Sequence, residues 1–299
     1  MRHYAVAMLG LFLCGCAPEE SGHLKAIIGA VLIDGAGGPP LANSIVLVAG
    51  DRIRAAGALS SIPIPADADK VDGSGDYLVP ALVDVCDRID PPGTIHATTA
   101  EDARRQVSAL VAQKIATIHI GKLPDAAAEA VLEAAREIHI PVIAHISTQA
   151  EARFAVNKGA AVLVGMIHDT ESLDQELLGK LRDLRIVVAP SLGKAGSALD
   201  VAKRNTMRLF QAGAPLALAS EGGNPLGELA LMSDAGVPPL DVVVAATRNG
   251  AVALHQAQEC GTIEAERRAD LLLLSANPAE DVRNLRKVAL RVVGGEFVH

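Results

Sequence analysis

The chain has 299 residues, half of them apolar, with a formal charge of −8, no tryptophan and only 2% aromatic residues. A core must therefore be assembled from Ala, Val, Leu and Ile, which suits buried strands covered by helices. The scarcity of aromatic faces excludes surfaces that recognise bases or sugars by stacking. The acidic balance, with no basic cluster, excludes nucleic acid as a partner.

In chain order, Arg2 is followed by an apolar stretch over 5–13 that is too short to cross a bilayer as a mature helix. The sequence Leu13-Cys14-Gly15-Cys16 resembles the bacterial lipobox. That resemblance implies removal of 1–15 as a lipoprotein signal peptide and acylation of Cys16. It also implies an envelope protein that meets the membrane only through its lipid anchor. Ala17 is not an aspartate, which points to the periplasmic face of the outer membrane. Residues 16–24 read as a tether. From 25 to 77 the chain is short β-rich pieces broken by turns such as Gly37-Gly38-Pro39-Pro40. The segment 255–299 has the same character, so both ends are expected to join in one small β-sandwich domain.

Between them, 78–254 alternates strands and helices. Strands are expected at 78–86, 115–120, 142–147, 161–167, 186–192 and 216–220. A helix is expected at 125–138, where Ala126, Ala130, Val131 and Ala134 recur at helical spacing. Such alternation means parallel strands with right-handed crossovers. Strands that end in polar residues suit the catalytic face of a (β/α) barrel. Six strands make it a shortened α/β barrel, whose unpaired edges call for a rearranged closure or a homo-oligomer. Residues 191–196, Ser-Leu-Gly-Lys-Ala-Gly, lack the spacing of a phosphate loop and are set aside. Asp169 or Thr170 is a candidate cap for a following helix. Whether Cys86 and Cys260 pair is left open by spacing alone.

Several stretches together resemble the amidohydrolase superfamily, and within it the imidazolonepropionase-like and prolidase-like branch. At the C-terminus they are "ATRNGAVAL", "GTIEAERRADLLLLSANPAEDVRNLRKV" and "VVGGEFV". Near the N-terminus "VLIDGAGGPPLANSIVLVAGDRIRAAG" resembles that family's sandwich segment, and "YLVPALVD" its entry into the first barrel strand. "PVIAHISTQAEARFAVNKGAAVLV" resembles the fifth-strand region and "LALASEGGNPLGEL" the eighth.

The resemblance implies one or two divalent metals, commonly zinc, hydrolysing amide or related C–N bonds of a small molecule. It also implies where the ligands stand. Cys86 and Arg88 occupy the His-x-His positions of the first strand, and His119 the lysine position of the fourth. His145 keeps the fifth-strand histidine. Gly165 replaces the sixth-strand histidine, with His168 three residues on. Glu221 stands for the eighth-strand aspartate, a metal ligand and catalytic proton shuttle. Cys86, His119, His145 and Glu221 are thus the candidate metal ligands, and Arg88 and His168 the candidate pocket residues.

Arg88 lies two residues from Cys86 on one strand face. Its fixed guanidinium is expected to pair with Glu221 or Asp84 and take over the metal's electrostatic role. Two functions follow: a metal-dependent hydrolase, or a non-catalytic binding or scaffold lipoprotein that carries no metal.

Overall fold

The computed structural model describes residues 23–298. The expected signal peptide, Cys16 and most of the tether lie outside them. The first described strands are β1 (Lys25–Ile28), β2 (Val31–Leu32), β3 (Ser44–Ala49), β4 (Arg52–Ala58), β5 (Asp69–Asp72) and β6 (Tyr77–Pro80). Four of them form a sheet in the order β4-β3-β1-β5. The expected strand over 78–86 is divided, because β6 ends at Pro80. A proline has no N–H to continue a ladder. The chain then crosses to a second body, where Val83 N donates to Ala246 O and Asp84 bridges Leu218 in parallel.

That body runs β7 (Thr94–Ile95), α1 (Ala100–Ala112), β8 (Ile118–Ile120), α2 (Asp125–Glu137), β9 (Val142–Ile146), α3 (Gln149–Lys158), β10 (Val162–Gly165), α4 (Gln175–Asp183) and β11 (Val187–Ala189). It continues with α5 (Leu199–Gln211), α6 (Pro225–Asp234), α7 (Pro239–Val244) and α8 (Gly250–Ala253). Strands β7 to β11 pair in parallel in chain order. The bridges Val188↔Leu216 and Asp84↔Leu218 add two more parallel segments. Seven staves thus replace the six expected. The extra one, β7, is two residues after the Pro91–Gly93 bend and carries no periodicity to read. Among the described residues no bridge joins β7 back to the Asp84 segment.

Alternation of side chains sorts the staves into two faces. Val85, Cys86, Ile143, Val162, Val164, Val187, Ala189, Ala217 and Ala219 pack together inside. Val142, Ala144, Ile146, Leu163, Val188, Leu216 and Leu218 pack against the helices. Alanines at 189, 217 and 219 let the interior close without aromatic fillers. The helices start on side-chain caps: Thr99 on α1, Thr148 on α3, Asp174 on α4 and Asn224 on α6. Between α7 and α8 the chain widens into a π-helical turn, Ala245–Asn249, from which Asn249 Nδ2 donates to Leu216 O.

The C-terminal strands β12 (Leu271–Leu274), β13 (Val288–Val293) and β14 (Glu296–Val298) return to the N-terminal ones. They make a sheet in the order β14-β13-β12-β6-β2. Its inner face, with Leu78, Leu271, Leu273, Leu290 and Val292, packs on Ile27, Val46, Val48 and Ile53 of the first sheet. Each fully buried aliphatic side chain there contributes roughly 1.5–3 kcal/mol of transfer free energy. The fold is thus α/β, a shortened barrel-type parallel array plus a β-sandwich built from both ends of the chain.

Candidate active site and metal centre

The strand ends converge on one cluster. Cys86 follows the Asp84 segment, His119 sits in β8 and His145 near the end of β9. One donor atom from each of the three lies within 4.8 Å of the others. Cys86 Sγ is 4.0 Å from His145 Nε2. On its other side His145 Nδ1 lies 2.9 Å from Glu221 Oε1. The carboxylate fixes Nδ1 as the protonated nitrogen and turns the Nε2 lone pair toward Cys86.

The supporting contacts are local. Asp84 Oδ1 accepts from Cys86 N at 3.0 Å and from Ser220 N at 3.1 Å. Glu221 N and Gly222 N donate to Cys86 O and Asp87 O. These bonds hold Glu221 in the left-handed region at φ 46°, a conformation that costs a non-glycine residue about 1 kcal/mol or more.

Burial sets the charges. His119 is 5% exposed, and its Nδ1 has no hydrogen-bond partner. Burial first, and His145 second, draw its pKa down to about 4, so it stays neutral at physiological pH. Burial, then the charges of Glu221 and Asp84, push the Cys86 thiol up to about 12. The hydrogen bond from His145 is the main reason that Glu221 lies below the usual carboxylate range. A cysteine sulfur, the neutral imidazole of His119 with its orphaned nitrogen, and the imidazole of His145 backed by a carboxylate suit a zinc-type ion. The residues present fit the group.

Three expected roles change. Arg88 does not face the centre: its side chain is 60% exposed and pairs with Asp87 at 3.0 Å. Past the strand end the alternation rule no longer applies, and solvation of the guanidinium favours the surface. Glu221 is not one of the clustered donors but the outer partner of His145. Asp169 caps nothing on α4, which starts on Asp174; Asp169 Oδ1 instead accepts from Gln149 N at the start of α3. Cys86 and Cys260 are both free.

Beside the cluster lies a cavity of about 200 Å³, lined by His145, Gly165, His168, Ser191, Lys194 and Glu221 among others. A larger hollow of about 380 Å³ opens between α2 and α3 and shares only His145 with the centre. Ser191 falls within the strand expected at 186–192, and Ser191 and Lys194 both belong to the 191–196 run that was set aside as a phosphate loop. Asp84 could be noticed as a carboxylate in an apolar run. Glu228 gave no signal, yet it is 4% exposed and its Oε1 accepts from Gly193 N at 2.8 Å.

Residues 96–298 match the profile of the amidohydrolase family. A search of curated proteins finds no matching sequence. Among solved structures the chain is similar to a prolidase-type protein of Bifidobacterium longum, at 20% identity and TM-score 0.79, covering 92% of this chain and 94% of that one. It is similar to phenylurea hydrolase B, at 18% identity and TM-score 0.78, covering 92% and 96%. It is also similar to A. niger ochratoxinase, at 16% identity and TM-score 0.78, covering 92% and 95%.

Proposed function

The chain belongs to the amidohydrolase family, and on that footing we propose that it is a metal-dependent hydrolase of amide or related C–N bonds. The observation that carries the reading is the convergence of Cys86, His119 and His145 donors within 4.8 Å. These three residues would hold a divalent ion of zinc type. Such an ion lowers the pKa of bound water to about 7 and polarises a scissile carbonyl.

The remaining chemistry belongs to the chain. Glu221 is kept ionised by its bond to His145. From the far side of His145 it would act through that ring, fixing its orientation and raising its basicity toward the ion. His145 cannot swing away, because Glu221 holds one ring nitrogen and the other faces Cys86. The cavity beside Glu221 holds the group attached to the scissile bond. The lipobox-like 13–16 supports placing this reaction in the cell envelope, on a lipid-anchored protein.

One observation favours a second reading, a binding protein without catalysis. At the position of the sixth-strand ligand the backbone adopts φ +102°, and a Cβ on Gly165 would lie 2.2 Å from Ile146 O. No side chain fits there, so the ligand set is smaller than the resemblance implies.

The test is metal content and hydrolysis of an N-acyl amino acid panel by purified, lipid-free protein. About one zinc per chain is expected, lost in His145→Ala. Glu221→Gln should lose roughly 10–100-fold in zinc affinity or rate, the usual cost of removing a ligand's outer hydrogen-bond partner. Absence of bound zinc, with no thermal shift on adding zinc or manganese, would overturn the hydrolase.

A further inference from the structure

We infer that the hollow between α2 and α3 is a binding site for a small neutral ring compound, separate from the place of the scissile bond, and that its occupancy tightens the hold on a metal at the centre. The second half rests on the metal-dependent reading above; the binding site itself is argued from its own residues.

The hollow lies outside the barrel wall. Its floor is Ile120 of β8 with Ala144 and Ile146 of β9, which belong to the layer that packs against the helices. Leu123 and Ala128 stand on one side, and Phe154 and Ala155 of α3 on the other. The two helices are not forced apart by bulk. Alanines at 128, 150 and 155 would let them approach as closely as helices pack, about 8–10 Å between axes. Instead α2 lies along α1 and barely meets α3. Lower down, the gap is bridged by the ion pair of Glu129 with Lys158, so it stands open at the end where the helices leave β8 and β9.

Apolar surface is left without partners there. Phe154 and Leu123 are only half-buried, although both pack on the main core, and the void forfeits the contacts their open sides could make. An apolar hollow of this kind favours a ring that fills it over water. Its volume of about 380 Å³ falls within the roughly 300–1,000 Å³ of small-molecule sites. Charge then narrows the ligand. Lys122 and Asp125 both line the hollow and are exposed, so the mouth they form carries no net charge. The other ionised wall residue, Glu151, already accepts from Ser147 and Thr148 through Oε2. The lining thus favours neither an anion nor a cation. A rigid ring loses less freedom on binding than a flexible chain, and it can pack against Phe154.

Such an occupant bears on the metal centre from behind. Ala144, His145 and Ile146 all line the hollow, so a ring there lies against β9 at the ligand and at both its neighbours. Glu151 lines it too, and Glu151 ties Ser147 N and Thr148 N at the end of β9. Filling the space restrains that strand end, and with it the aim of His145. Linkage makes the effect mutual: the factor by which the ring raises zinc affinity is the factor by which zinc raises affinity for the ring.

The probe is indole, whose emission can be followed directly because the chain has no tryptophan. Lipid-free protein is titrated first without metal, by fluorescence and calorimetry, with indole and two charged relatives, indole-3-carboxylate and tryptamine. Indole should bind with a dissociation constant of roughly 0.1–1 mM, within reach of a ligand of its size. The charged relatives should bind about fivefold or more weakly, since their charges find no partner. Ala128→Leu and Ala150→Leu occupy the space and should each weaken indole about tenfold or more. Ala150 is exposed, so its variant decides the matter where the buried Ala128→Leu fails to fold. Saturating indole should then raise zinc affinity about fivefold or more in competition with a chelator. No saturable binding of indole, equal binding of the charged relatives, or binding untouched by the leucine variants would overturn the site. Unchanged zinc affinity at saturating indole would overturn the coupling. Protein that binds indole but never zinc would instead count against the hydrolase and leave the site standing.

Discussion

At the scale of single residues, burial draws His119 down and pushes Cys86 up, while the bond to His145 holds Glu221 low. His119 shows the consequence for stability. Its pKa is near 4 in the folded chain against 6.5 for an unperturbed histidine. As pH falls through that window the unfolded chain takes up a proton that the folded chain refuses, so stability falls with pH. The loss is on the order of 3 kcal/mol across the window for metal-free protein. Glu228 runs the other way: burial raises its carboxyl, so its contribution is lost as pH rises above 4.5. The measurement is therefore the difference between wild type and His119→Gln in urea unfolding at pH 7 and pH 4.5. The variant should lose less stability on acidification, and parallel pH profiles would contradict the neutral, buried His119.

At the scale of elements, the short segment after β9 decides whether His145 stays aimed. Glu151 Oε2 accepts from Ser147 N, Ser147 Oγ and Thr148 N, while Thr148 Oγ1 accepts from Glu151 N. This capping box fastens the start of α3, whose N-cap Thr148 lies three residues beyond the ligand. Thr148→Ala should cost about 1 kcal/mol, the usual worth of an N-cap. Glu151→Ala should cost more, about 2 kcal/mol, because it orphans three donors, and should also weaken zinc binding. Urea unfolding and zinc titration check both; equal costs for the two variants would show that Glu151 is only a cap. The element was legible in part: the apolar run and the following helix could be read from "PVIAHISTQAEARF". The reach of Glu151 back to Ser147 could not, because it depends on how β9 ends.

At the scale of the whole molecule, the two ends of the chain depend on each other. Strand β6 finds its antiparallel partner only in β12, and β13 and β14 complete the same sheet. A chain ending after Ala269 removes three of the five strands and exposes Leu78 and the inner face of β3. It should fail to fold, with loss of the cooperative thermal transition in circular dichroism; a cooperative transition would show that the parallel body is self-sufficient. The edge strand β7 is two residues long, and so short an edge offers little template for pairing with another chain.

The order of elements, the apolar faces and the join of both ends into one sandwich were written in hydrophobic pattern and turn residues, which act locally. Three of the residues that meet at the centre, Cys86, His119 and His145, were named through the family resemblance, with the apolar runs showing only that they lie in or at the ends of strands. The rest was decided by contacts between segments far apart in sequence. The Asp87 pairing takes Arg88 out of the site, the Asp84 carboxylate ties residues 86 and 220 together, and Glu221 lands on the far side of His145. Residue type says what each of these groups can bond; only the packing of strand ends against one another determines which partner is within reach.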